Sequence, residues 1–124
     1  MKTIGLALGI LAAAGVAFVM LAAPSARAQD NIPVSMTFKV YCARCHGFSG
    51  AGDGPDAATL STRPRDFADC AAMSKISDAT IVKAITDGGG AVGLSRDMPA
   101  WGVALNNKQI KALAAYVRTF CHKK

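Results

Sequence analysis

From Thr3 to Ala23 the chain is uncharged and mostly apolar, and past residue 29 it breaks into short amphipathic stretches separated by loops. Three stretches carry a helical period. In the first, Val34, Phe38 and Tyr41 fall on one face at i, i+4 and i+7, behind Pro33. The second starts at Ser77, a good N-cap, with Asp78 favoured by the helix dipole; Ile81 and Ile85 give its stripe, and Gly88-Gly89-Gly90 stops it. The third is the clearest: Ile110, Leu113, Ala114 and Val117 follow the i, i+3, i+4, i+7 template behind Asn106 or Asn107. No stretch alternates as a strand does, so the pattern predicts an all-α fold. Glycine- and proline-rich loops run from Gly47 to Pro55 and from Gly88 to Pro99, long for so small a unit and therefore expected to be functional.

The uncharged opening run reads as an export signal. Lys2 supplies the positive start and Ala26-Arg27-Ala28 the small-x-small cleavage site, which predicts a cleaved signal peptide over 1–28 and a single domain over 29–124. An uncleaved membrane anchor is the alternative, since the run is long enough to span a bilayer. The 52% hydrophobic content is inflated by this segment. The precursor's net charge of +6 loses two units with Lys2 and Arg27, and the remaining charges are scattered. They suit solubility or encounter with an acidic partner. No basic run interleaved with aromatics points to nucleic acid. Gly50-Ala51-Gly52-Asp53-Gly54 is not a phosphate loop: it follows no strand and lacks the Gly-Lys-Ser/Thr ending.

Chemistry enters at Cys42-Ala-Arg-Cys45-His46. Two thiols three apart on a helical turn can each form a thioether to one edge of a porphyrin, and the histidine after them can then ligate its iron. The segment is therefore read as a covalent attachment site for one haem c. A thioredoxin-like pair would need a strand–helix–strand setting, and a zinc site a second close ligand pair. The other cysteines, Cys70 and Cys121, are far apart in sequence, and His122 is the second histidine of the chain. In an exported protein Cys70 and Cys121 are candidates for a disulfide, with two separate buried thiols as the alternative.

An electron carrier keeps its iron six-coordinate, so a second axial ligand is required. Met98 is the best candidate, because Pro99 biases it toward extended backbone and frees its thioether from a helix face. Sulfur ligation raises the reduction potential. Met73, in an expected loop, is the rival. Met36 precedes the motif too closely, and a chain-terminal His122 is more often a solvated cation.

With these residues in place the chain resembles the class I cytochrome c family. The likeness covers Asn31 to Cys121 and rests on Cys42-Ala-Arg-Cys45-His46-Gly47, Gly52-Asp53-Gly54-Pro55, Met98-Pro99-Ala100-Trp101-Gly102 and the helix around Ile110 to Arg118. The resemblance implies a cytochrome c fold, with three or more helices and long loops wrapped round one covalently attached haem. It implies that the first and last helices cross, with Phe38 near Leu113 and Tyr116. It implies that the Pro55 carbonyl accepts the other ring N–H of His46. Arg63, Arg65 and Trp101 are its candidates for the propionates. Cys70 and Cys121 fall outside the general family pattern.

The leading functional expectation is a periplasmic shuttle of single electrons between redox partner proteins, not an enzyme and not membrane-bound once the signal is removed. A haem c subunit of a periplasmic oxidoreductase complex is the second reading. A haem sensor or enzyme with an open distal site is the third.

Overall fold

The computed structural model describes residues 31–122; the expected signal peptide, Gln29 and Asp30, and Lys123 and Lys124 lie outside them. Among the described residues there are five α-helices and no strand. They are α1 (Val34–Tyr41), α2 (Ala43–His46), α3 (Cys70–Met73), α4 (Asp78–Asp87) and α5 (Asn107–Thr119). Short 3₁₀ turns follow at Ala57–Thr59, Gly89–Val92 and Phe120–His122.

The three helices expected from periodicity are α1, α4 and α5. Ser77 caps α4 by accepting from Thr80 N at 3.1 Å, and Gly88 ends it at φ +88°. The cap of α5 is Asn106: its side chain accepts from Gln109 N at 3.0 Å while Gln109 Oε1 accepts from Asn106 N at 2.9 Å. The first helix does not run unbroken into the thiol motif, because Cys42 separates α1 from α2.

The core forms where α1 and α4 pack on α5. Phe38, Met73, Ile110 and Leu113 are its most deeply buried large side chains. The Phe38 ring lies 5.4 Å from that of Tyr116 and 5.0 Å from that of Phe120, which realises the expected contact between the first and last helices. Such aromatic pairs add about 1 kcal/mol each beyond burial.

α3 lies in a stretch expected to be loop. Asp69 caps it, accepting from Ala72 N at 3.0 Å, and Met73 turns into the core at 2% exposure. Two ties hold it to the end of α5. Cys70 and Cys121 form a disulfide across a Cα–Cα distance of 5.0 Å. The Arg118 guanidinium donates to the carbonyls of Met73 (2.6 Å) and Ile76 and to Asp78 at 2.9 Å, satisfying carbonyls at and just past the end of α3.

Candidate functional site

The thiol motif is built as a single helical turn whose carbonyls are taken up by the loop that follows. Gly47, at φ +77°, turns the chain out of α2. The backbone then doubles back, so that Gly52 N donates to His46 O at 2.9 Å, Gly54 N to Cys45 O at 3.1 Å and Asp56 N to Arg44 O at 2.9 Å. That is the physical content of Gly52-Asp53-Gly54-Pro55. The loop satisfies the end of α2 and fixes the direction of Cys42, Cys45 and His46.

These side chains open on a cavity of about 610 Å³, within the range of sites that enclose a sizeable ligand. Phe38, Ile85, Leu113 and Val117 give it apolar walls from α1, α4 and α5. Met98 lines it from the second expected loop and Trp101 from just beyond that loop, where it packs edge-on against Tyr41 at 5.2 Å. The lip formed by Leu60, Thr62 and Arg63 completes the mouth.

The structure brings Cys42, Cys45, His46 and Met98 to one cavity, whereas Met73 lies in the core and not on its lining. Arg63 and Arg65 also line it, and Arg63 donates to Ala51 O at 3.3 Å and Gly52 O at 3.4 Å. Arg44 lies at the rim with its side chain 72% exposed and pairs with Asp56 at 2.7 Å.

The carbonyl beside His46 Nδ1 in this structure is that of Arg65, at 3.4 Å. A ring protonated on Nδ1 donates to it. Beside it, the Phe67 ring stacks on His46 at 4.5 Å and 17°, and the Phe67 amide is anchored to Gly50 O at 2.7 Å. Sequence reasoning singled out Arg63 and Arg65 but missed Phe67, Leu60 and Thr62, because that polar, proline-containing stretch has no apolar period to mark a wall.

The electrostatics separate this pair of cysteines from a redox dithiol. Burial, with a smaller effect of Cys45, pushes the Cys42 thiol up to about 12. Cys45 is raised too, by burial first and then by Asp56 and Asp97, against the pull of Arg44. Redox pairs need the reverse, a thiol made acidic by its surroundings. Burial lowers the His46 pKa against the raising effect of the Arg65 carbonyl, which favours the neutral imidazole that can ligate a metal. Among the described residues no three His, Cys, Asp or Glu side chains gather as a metal site. The donor set, two thiols with an imidazole and a thioether around an apolar cavity, fits a haem held covalently.

The family model described as cytochrome C oxidase, cbb3-type, subunit III matches residues 33–117. The chain belongs to this family and is a c-type cytochrome. The cytochrome is 38% identical over 82 residues to the Cbb3-type cytochrome c oxidase subunit FixP of Azorhizobium caulinodans. That match takes in 66% of the chain but spans only 24% of the relative. Among solved structures, the KustC0563 c-type cytochrome superposes with a TM-score of 0.57 at 29% identity, covering 72% of this cytochrome and 98% of that chain. Membership brings with it covalently bound haem c and an electron-transfer role. No helix among the described residues is long and apolar enough to cross a membrane.

Proposed function

We propose that this cytochrome is an exported monohaem carrier that passes single electrons between redox partners in the periplasm. Cys42 and Cys45 would hold the haem through thioethers, and His46 and Met98 would ligate its iron. Haem c supplies the one-electron ferric/ferrous couple. The observation that supports this reading most is the meeting of both thiols, His46 and Met98 on one largely apolar cavity, with Met73 excluded from it.

The chain's own residues then have distinct tasks. His46 and Met98, which line the same cavity, would both hold the haem iron, so that little protein rearrangement would accompany electron transfer. Phe67 and the Arg65 carbonyl fix the imidazole's plane and tautomer. The apolar walls from α1, α4 and α5 would limit the access of water to the bound haem. Export rests on the leader over 1–28, with the single domain 29–124 released into the periplasm.

The test is the visible spectrum of the purified cytochrome, oxidised and reduced, as wild type and Met98→Ala. A weak far-red sulfur-to-iron band in the oxidised wild type, absent from the variant, is the expected result. A band indifferent to Met98→Ala would sink the ligand assignment.

A second reading is favoured by the matching family and relative, both described by name as oxidase subunits. In it the cytochrome is a haem c subunit with a fixed partner in an oxidoreductase complex. Co-purification of a tagged chain with a larger enzyme from its native membrane or periplasmic fraction supports this reading; recovery of the chain alone supports the shuttle.

A further inference from the structure

The segment that carries Met98 is attached to the rest of the molecule on two sides, and the two attachments differ in kind. Behind it, backbone meets backbone. Gly89 N donates to Met98 O at 3.0 Å, Trp101 N to Ile85 O at 2.9 Å and Gly102 N to Thr86 O at 3.0 Å, so the segment is moored to the end of α4. In front of it, across the mouth of the cavity, the tie is one carboxylate. Asp97 Oδ2 accepts from the Ser61 amide at 3.0 Å and from the Ser61 hydroxyl, and Ser95 Oγ donates to the same oxygen at 3.0 Å.

Ser61 sits between Leu60 and Thr62, both of which line the cavity, and lies 36 residues from Asp97 in sequence. The lip it belongs to leads back through Ala57 N to Gly54 O and Asp56 N to Arg44 O, and so to the helix of the thiols and His46. Asp97 therefore joins the two halves of the cavity, the half with His46 and the half with Met98. A local turn would explain its bond to Ser95 but not its two bonds to Ser61. Ionised acceptors make the stronger class of hydrogen bond, which suits a tie that is otherwise exposed to water.

We infer that Asp97 is a positioning residue: by latching the Met98 segment to Ser61 it keeps the Met98 side of the haem closed to small external ligands. The inference rests on the proposed ligation by Met98. Without the latch the segment stays moored to α4 but swings more freely at its front, and the thioether gives way to a competitor more often. Both Asp97 and Ser61 are exposed, so the apolar core does not depend on the pair.

The experiment measures the rate at which imidazole binds to the oxidised holoprotein in wild type, Asp97→Ala, Asp97→Asn and Ser61→Ala, with the far-red band recorded beforehand. Asp97→Ala is expected to bind imidazole at least tenfold faster. Asp97→Asn, which keeps an acceptor, is expected to recover part of the wild-type rate, and Ser61→Ala to fall between. Ile81→Val, a trim in the core away from the cavity, is the control for general loosening and leaves the rate near wild type. Wild-type imidazole kinetics in Asp97→Ala, with a far-red band that Met98→Ala removes, overturn the latch while leaving Met98 as ligand. A band that survives Met98→Ala overturns the ligand assignment and the latch with it. Should Asp97→Ala fail to incorporate haem, the Ser61→Ala rate decides between the same outcomes.

Discussion

Gly54 lies so close beneath the Arg44 carbonyl that a Cβ on it would fall 2.2 Å from that oxygen and 2.5 Å from the carbonyl of Ala43. Both oxygens belong to the backbone of the thiol helix, so neither can step aside cheaply. Gly54→Ala must push the 50–56 loop off α2 and break the Gly54 N to Cys45 O bond. Overpacking of this kind costs about 1–3 kcal/mol, and here it also misdirects the two thiols. The expected outcome is a chemically unfolded midpoint lowered accordingly and a smaller fraction of purified chain carrying covalent haem. Full haem incorporation at wild-type stability would contradict the role given to this contact.

The disulfide is expected to act mainly on the unfolded chain. Cys70 and Cys121 are separated by 51 residues, and closing a loop of that size stabilises by roughly 4 kcal/mol in the chain-entropy model. Replacing both by serine should therefore lower the stability found by denaturant titration by about that much. The Arg118 bonds to Met73 O and Ile76 O remain in the variant and keep α3 in place. The absorption bands of the folded holoprotein should accordingly be unchanged below the unfolding transition.

The contrast between what could and could not be read beforehand follows the range of the interactions. The faces of α1, α4 and α5, the Ser77 cap and the thiol–imidazole segment are local patterns, each contained within a few turns of chain, and each was legible. α3 was not, because a four-residue helix is too short to show a period, and so Met73 was expected in a loop. The acceptor at His46 is a matter of which backbone carbonyl is carried over the ring. Phe67 stacks on the ring from 21 positions away, and no residue type marks the Arg65 carbonyl for its place beside Nδ1. The Asp97–Ser61 tie is equally silent in sequence: serine and aspartate are common in loops, and only the folded chain brings these two together.

Acid pH should reveal the ion pair at the rim. The Arg44 guanidinium holds the Asp56 carboxyl below the ordinary carboxylate range. A depressed folded value means that the unfolded chain takes up the proton first as pH falls. The pair's contribution is thus complete above the unfolded value near 3.9 and disappears as pH drops through the lower folded value. Both partners are solvent-exposed, so the effect is small. Asp56→Asn should melt slightly below wild type at pH 6, and the gap should narrow as pH falls below the ordinary carboxylate range. A gap that widens on acidification would contradict this assignment.

Met73 and Met98 should respond to substitution in opposite ways. Met73 is 2% exposed among the core side chains, and Met98 lines the cavity. Met73→Ala leaves a hole in a packed interior, which costs about 2–5 kcal/mol, yet it should leave the far-red band of the oxidised protein in place. Met73→Leu, nearly equal in volume, should recover most of the stability. Met98→Ala should remove the band with a smaller loss of packing, since its side chain is only half-buried. Denaturation and the visible spectrum, measured on the same three variants, separate a methionine that fills the core from one that binds iron. The assignment fails if Met73→Ala abolishes the band while the protein remains folded.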